Sequence, residues 1–270
     1  ILRLSSIGDV THIVPIINTI KAKCPSTEIT WIIGKVEYEL VKNMKNINFI
    51  VIDKKNYLSS FQKLNMLRNK KFFDILFHMQ VSLRSNIISL MINAKRKIGF
   101  NRNISKNLHS LFINEKIPIK NNLHVVDTFF LFLEKIGLKA HMLDWDINNN
   151  NFDNDMSTKK KYFVVNPFTS QRNFNYREWD INNYKVIAEY VKDSFDIDMV
   201  VVGGKSNYEI EMSKNLCCTT FIKNLVGKTN LQDLYNLIKK SEFYLGPDSG
   251  TLHIASMLGK KIIGLYATSN

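Results

Sequence analysis

Short apolar runs alternate with stretches of helical spacing along almost the whole chain, and the alternation stops once and then restarts. No other feature constrains the fold as strongly. Strands separated by helices pair in parallel, and a parallel sheet needs helices over both faces. The first series runs ILRL (1–4), then an apolar helical stripe of Val10, Ile13, Val14, Ile16, Ile17 and Ile20, then EITWII (28–33), YELVKNM (38–44) and FIVID (49–53). It continues with a helix over 57–70, a buried strand FFDILFHM (72–79), a helix RSNIISLMIN (84–93) and a long apolar helix HVVDTFFLFLEKIG (124–137). Pro15 lies inside the first stripe and predicts a late start or a kink, because it removes a helical N–H. Residues 148–161, NNNNFDNDMSTKKK, are polar and aperiodic, the composition of a linker.

The second series has strand KYFVVNPF (161–168) and a helix capped by Asp180 with Ile181, Tyr184, Ile187, Ala188, Val191 and Phe195 on its apolar face. Strand DMVVVGG (198–204), helix LQDLYNLIKKS (231–241), strand EFYLG (242–246), helix DSGTLHIASMLG (248–259) and strand KKIIGLYA (260–267) follow. This predicts an α/β chain of two Rossmann-like parallel-sheet domains, residues 1–150 and 160–270, with ligands at the carboxyl ends of the strands. The chain has 270 residues, 45% of them hydrophobic, enough for two cores. It contains no apolar run of the ~18 residues that cross a bilayer. Three cysteines, Cys24, Cys217 and Cys218, show no metal-ligand spacing and fit a reducing compartment. The net charge of +13 implies an anionic partner: nucleic acid, a phosphorylated substrate or an anionic membrane surface.

Two strand-to-helix turns stand out. LSSIGDVTH (4–12) has one glycine, Gly8, followed by a carboxylate, Asp9, which would repel a phosphate. GPDSGTLH (246–253) has small residues, Ser249, Gly250 and Thr251, at a helix start, where free N–H groups attract an anion. The second turn therefore suits a diphosphate and the first does not. His253 can face the same opening, and Asp248 is either a sugar ligand or a helix cap.

The run GPDSGTLHIASMLGKKIIGLY resembles the signature of glycosyltransferase family 9, the ADP-heptose:lipopolysaccharide heptosyltransferases. NLVGKTNLQDLYNLIKKSEF (224–243), RLSSIGDVTHIVP and NPFTSQRNFNYREWDINNYKVIAEYV (166–191) are similar to further ordered motifs of that family, and VVVGGKSNYEIEMS to its Gly-Gly pair and acidic helix. The resemblance implies the GT-B architecture, two Rossmann-like domains facing across a cleft. The N-terminal one would bind the acceptor and the C-terminal one the nucleotide sugar. It implies inverting transfer of heptose from ADP-heptose to the Kdo/heptose inner core of lipopolysaccharide, without metal or other cofactor.

By the same resemblance Asp9 is the general base. Thr169, Ser170, Arg177, Lys228, Asp248, Ser249, Gly250, Thr251 and His253 would bind the donor, with Arg177 clamping phosphate where many relatives have Lys. Ser6, Gly8, Arg68, Arg84, Arg96 and Arg102 are acceptor-side candidates, since lipid A-Kdo or core oligosaccharide is anionic. The competing role for Asp9 is a helix cap. With no cation evident beside it, Asp9 is expected to contribute little stability. The implied location is cytoplasmic, peripheral to the anionic inner membrane.

Three other readings stay open: an RNA-binding protein, disfavoured because aromatic platform motifs are missing; a non-catalytic nucleotide-sugar-binding protein; and a family member using another sugar or acceptor. The chain opens inside its first strand without Met and stops at ATSN, so it is expected to be a piece of a longer protein, truncated at both ends.

Overall fold

A computed structural model describes residues 1–101, 108–120, 122–147, 160–170, 177–216 and 219–267, with only the backbone at 57, 58 and 70. The chain divides into two compact units, Ile1–Asn149 and Asn150–Asn270.

The first unit contains helix α1 (Ile7–Lys23), strand β1 (Thr30–Gly34), α2 (Lys35–Val41), β2 (Asn48–Ile52), α3 (Tyr57–Lys70), β3 (Phe73–His78), α4 (Leu83–Leu90) and β4 (Ala94–Gly99). A 3-10 turn (His109–Leu111), β5 (Glu115–Lys116) and α5 (Val125–Lys135) complete it. β1 pairs in parallel with β2, and β3 with β4 and β4 with β5. The segment ILRL joins these two groups. Leu2 bridges Ile32 on one side and His78 on the other, both in parallel. Its ladder includes Leu2 N–H to Phe77 O at 2.8 Å and Gly34 N–H to Leu4 O at 3.0 Å. The resulting order is β2-β1-(1–4)-β3-β4-β5, with residues 1–4 as the central strand.

One sheet face packs Leu2, Leu4, Ile32, Ile52 and Leu76 against Leu64 of α3 and Ile88 and Ile92 at α4. α1 packs against α5, and Ile13, Ile16 and Ile17 of α1 and Phe130 and Phe132 of α5 are fully buried. α1 does not start late. It begins at Ile7 and runs through Pro15, which is buried within it. The Pro15 carbonyl still accepts the Thr19 hydroxyl at 2.7 Å, and the apolar face of the helix outweighs one missing N–H.

The second unit runs β6 (Tyr162–Val165), α6 (Ile181–Phe195), β7 (Asp198–Val201), α7 (Asn207–Lys214), β8 (Ile222–Asn224), α8 (Leu231–Lys240), β9 (Phe243–Pro247), α9 (Gly250–Met257) and β10 (Lys261–Leu265). Its all-parallel sheet has the order β10-β9-β6-β7-β8. Phe163, Val165, Tyr184, Ala188, Val201 and Leu245 are among the residues that form its core. Phe195, placed above on the apolar face of α6, is 61% exposed instead, because it ends the helix where Asp196 turns into the left-handed region.

Both strand orders reverse at one point. In the first unit this lies between residues 1–4 and β3, and in the second between β6 and β9. Doubly wound sheets bind ligands in the crevice beyond the carboxyl ends of the strands at such a reversal.

Candidate active site

Asp9 stands at the reversal point of the first unit. It occupies the third position of α1, after the N-cap Ser6. Its Oδ2 accepts the Ser6 N–H at 3.0 Å and the Ser6 hydroxyl at 2.9 Å. Arg3 also contacts Oδ2, forming an ion pair. Among the described residues no partner falls on Oδ1. Asp9 is thus a helix cap and a half-buried carboxylate with one oxygen held and the other open.

The expectation that no cation lies beside it is wrong. Arg3 sits in the buried central strand, where a charge requires a partner. A second amino group of Arg3 donates to Met79 O, and its guanidinium lies 5.6 Å from the centre of the Phe129 ring. Burial pushes the Asp9 carboxyl upward in pKa, but the Arg3 charge and the Ser6 bonds together hold it below the usual carboxylate value. Asp9 is therefore ionised at neutral pH.

A pocket of about 520 Å³ opens at this point, lined by Ser5, Ser6, Asp9, Gln80, Val81 and Phe129, with Arg3 in its wall. Gln80 ties the pocket to the central strand. Its Oε1 accepts Leu4 N–H at 2.7 Å and its Nε2 donates to Ser5 Oγ at 3.2 Å. Gly8 is buried in the first turn of α1.

Among the described residues, the basic candidates Arg68, Arg84 and Arg96 do not line this pocket. Arg96 makes a two-pronged pair with Glu115, at 2.6 and 2.9 Å, so its charge is spent across the β4–β5 edge. Arg68 is exposed at the end of α3, where its carbonyl accepts from Asn93 at 2.9 Å. Arg84, in the first turn of α4, lies outside the wall of the pocket, and its Nε is buried with no partner among the described residues. Arg102 lies outside the described residues, as do Cys217 and Cys218.

The reversal point of the second unit carries the other turn. Ser249, not Asp248, is the N-cap of α9, and the helix begins at Gly250. Ser249 makes no side-chain cap bond, so its hydroxyl leaves the first N–H groups of the helix to another acceptor. That hydroxyl lies 2.7 Å from Thr251 Oγ1, which also receives Asn166 Nδ2 at 2.8 Å and meets Tyr244 OH at 2.7 Å. Burial pushes the Tyr244 phenol up to about 12, so it remains protonated. Thr251 therefore ties the N-terminus of α9 to the end of β6 and, through Tyr244, to β9. Gly246 permits this close approach, since a Cβ there would stand 2.5 Å from Asn166 O. His253 Nε2 lies 3.7 Å from Asp248 Oδ1.

The loop after β6 begins at Asn166, whose Oδ1 accepts Phe168 N–H at 3.1 Å. It brings Thr169, Ser170 and Arg177 together. Arg177 Nη2 donates to Ser170 O and Oγ at 3.1 and 3.2 Å. Thr169 donates through N–H (2.7 Å) and hydroxyl (3.2 Å) to Glu178, which also accepts Tyr208 OH at 2.9 Å. Lys228 is exposed, and its ammonium donates to Asn224 O at 3.1 Å.

Sequence alone did not single out Arg3, Gln80, Asn166 or Glu178. A charge inside the apolar run ILRL and an amide directly after each of two strands were the signals available.

Both units are doubly wound, and each carries a candidate site at its reversal point. The family model described as "Glycosyltransferase family 9 (heptosyltransferase)" matches residues 62–270. The chain belongs to glycosyltransferase family 9. It is 35% identical, over its full length and 79% of the relative, to the lipopolysaccharide core heptosyltransferase OpsX of Haemophilus influenzae.

Among solved structures, E. coli heptosyltransferase WaaC with ADP-2-deoxy-2-fluoro heptose matches at a TM-score of 0.81 and 20% identity, covering all of this chain and 88% of that one. E. coli ADP-heptose lps heptosyltransferase II matches at 0.72 and 15% identity, covering 97% and 82%. The fold is that of the GT-B heptosyltransferases.

Proposed function

We propose that this chain is an inverting glycosyltransferase that moves heptose from ADP-heptose to the inner core of lipopolysaccharide, with Asp9 as general base. The family, the relatives named above and the geometry of the Asp9 carboxylate support this reading. The single observation that carries it is that, among the described residues, every bond to Asp9 falls on Oδ2, while the carboxylate lines the pocket.

Such a carboxylate is ionised, oriented and open on one side. An acceptor hydroxyl bonded to Oδ1 gives up its proton there as its oxygen attacks the anomeric carbon, and ADP departs from the opposite face of the sugar. The depressed pKa keeps the carboxylate deprotonated and ready, and makes it a base that acts only as the new C–O bond forms. Arg3 and Ser6 hold the group still. Fixed groups reacting in line avoid the entropy of assembling them.

Negative charge grows on the departing diphosphate. In this reading the N–H groups of α9 at Gly250 and Thr251, with Arg177 and Ser170 from the loop after β6, receive it. Arg matches phosphate oxygens in two-pronged fashion. Asp248 and His253 meet the sugar, and Glu209 is placed for the ribose. Glu209 lies in the first turn of α7, and its carboxylate packs against Gly204 beyond β7, where doubly wound folds hold ribose hydroxyls.

The acceptor is lipid-linked, and the reading places the protein at the cytoplasmic face of the inner membrane. The uneven charge supports this. Ile1–Asn149 has 22 basic and 11 acidic residues, net +11, whereas Asn150–Asn270 has 15 and 13, net +2.

Asp9→Asn tests the base. Transfer of heptose from ADP-heptose to Kdo-lipid A, followed by mass spectrometry, is expected to fall roughly 10²–10⁴-fold with ADP affinity unchanged. Transfer near the wild-type level would remove Asp9 from the chemistry.

A further inference from the structure

Helix α4 buries Ile88 on the sheet but otherwise turns polar residues inward and apolar ones to water. A helix on a protein surface ordinarily turns its apolar stripe inward and its polar residues to water. In α4 Ser85, Asn86 and Ser89 are buried, whereas Leu83, Ile87 and Leu90 are 62%, 43% and 56% exposed. These three recur at intervals of four and three and so form one stripe.

The buried polar groups all have internal partners. Ser85 Oγ donates to Gln80 O at 3.0 Å, and Ser89 Oγ to Asn86 O at 2.7 Å. Asn86 Oδ1 lies 3.1 Å from His109 Nδ1, while Phe100 N–H donates to His109 Nε2 at 3.2 Å. Burial holds His109 down at about 4, so it is neutral, with its proton on Nδ1 for Asn86. This bond fastens the 3-10 turn to α4. The residues on either side of the fastening point, Leu108 and Leu111, are each 72% exposed. Five bulky apolar side chains therefore stand in solvent on two elements locked together by a buried hydrogen bond.

The surroundings are basic. Lys97 donates its ammonium to Ser89 O at 2.7 Å, at the last turn of α4. Arg68 lies close enough to depress the Lys97 pKa, after burial, which is the larger cause. Lys95, two residues before Lys97 on β4, is exposed, and Arg84 follows Leu83 in the chain. The stripe also begins at the pocket: Val81 lines the pocket, Ser82 caps α4, and Leu83 follows.

We propose that the outer face of α4, together with Leu108 and Leu111, docks this chain on an anionic lipid bilayer. The inference rests on the reading of the acceptor as lipid-linked. An apolar stripe rimmed by Lys and Arg lies in the headgroup boundary, with apolar side chains entering and cations meeting lipid phosphates. A pocket opening at the start of the stripe then meets a sugar just above the surface that anchors it. A second copy is the poorer occupant, since it would bring a net charge of +11 against its equal.

The test is co-sedimentation with phosphatidylcholine vesicles, with and without phosphatidylglycerol. The wild-type chain is expected to bind phosphatidylglycerol vesicles more tightly, and less so as salt is raised. Leu83→Gln, Ile87→Gln and Leu90→Gln should each weaken binding about tenfold without lowering the melting temperature, since each site is exposed. Arg68→Gln should weaken it about fivefold on anionic vesicles and not at all on neutral ones. Leu90→Trp should show its indole emission moving to the blue when vesicles are added.

Transfer to a delipidated, water-soluble acceptor should be unchanged in the three Gln variants and reduced when the acceptor is in vesicles. Wild-type binding retained in the combined Gln variant would overturn the proposal. So would a wild-type dimer in solution that the same variant breaks, since a second copy would then cover the face. Failure of the wild-type chain to transfer heptose to either acceptor would count against the enzymatic reading alone, and the vesicle result would still decide this one.

Discussion

Replacing Arg3 by Met is the sharpest probe of how the first unit holds its carboxylate. The side chains are of similar length, so the change removes a charge and three contacts, those to Asp9, Met79 O and the Phe129 ring face, while keeping most of the packing. A hydrogen bond to a charged group contributes about 1.5–3 kcal/mol. Because about a third of the Asp9 side chain is exposed, at 34%, water screens part of that. The expected loss is roughly 1–2 kcal/mol near neutral pH. For a unit of this size that lowers the melting temperature by about 2–4 °C per kcal/mol.

The pH dependence separates this account from a simple packing defect. The folded Asp9 pKa is depressed, so its contribution to stability is complete above the unfolded pKa of about 3.9 and is lost as pH falls through the folded value. Without Arg3, the upward push of burial is opposed only by the Ser6 bonds. The stability gap between wild type and variant is therefore widest near neutral pH and closes on acidification. The acidic limb of kcat/KM for heptose transfer should move to higher pH in the same variant. Urea titrations across the pH range and a pH–rate profile read both effects. A stability loss that is the same at acid and neutral pH, with the acidic limb unmoved, would refute the reasoning.

Two expectations concern the second unit. Thr251→Val keeps the shape but removes the hydroxyl that joins Asn166, Tyr244 and Ser249. Leaving the Asn166 amide nitrogen unpaired and removing one partner of the Tyr244 phenol should cost about 1–3 kcal/mol in urea unfolding and weaken ADP binding by calorimetry, and an unchanged unfolding midpoint would dismiss the hub role. Arg177→Ala should raise the KM for ADP-heptose roughly tenfold, and Arg177→Lys should recover part of it, because charge without the planar fork still attracts phosphate; equal KM values in all three proteins would exclude Arg177 from the donor site.

Much of the fold was legible because parallel α/β sheets write themselves as alternation. FIVID, FFDILFHM and KYFVVNPF read as strands since each is a short continuous apolar run, and the α8 pattern reads as a helix since one face is apolar. β4 was missed because its sequence, AKRKIG, is half basic. Arg96 is tolerated there by Glu115 on the next strand, and Lys97 by the last turn of α4, neither of which a local pattern reveals. β8, three residues long, is too short to show a period. α1 was expected to falter at Pro15, yet burial of its apolar face carried it through.

What the sequence by itself determined was the order of elements, the two turns with a ligand-facing chemistry, and the opposition between an acid at Asp9 and small residues at Ser249 to Thr251. These are local: a few neighbouring residues set the backbone and the charge. What only the tertiary structure decided was how each group is held. Arg3 is six residues from Asp9 in sequence, and Gln80 is more than seventy, yet the central strand puts all three in one wall. Asn166 reaches Thr251 across 85 residues for the same reason, because parallel strands gather their carboxyl ends at one edge. The exposure of Leu83, Ile87 and Leu90 is likewise invisible in a sequence whose helical pattern has apolar residues on more than one side. Which side is buried shows only in the fold, where Ile88 packs on the sheet and Asn86 meets His109.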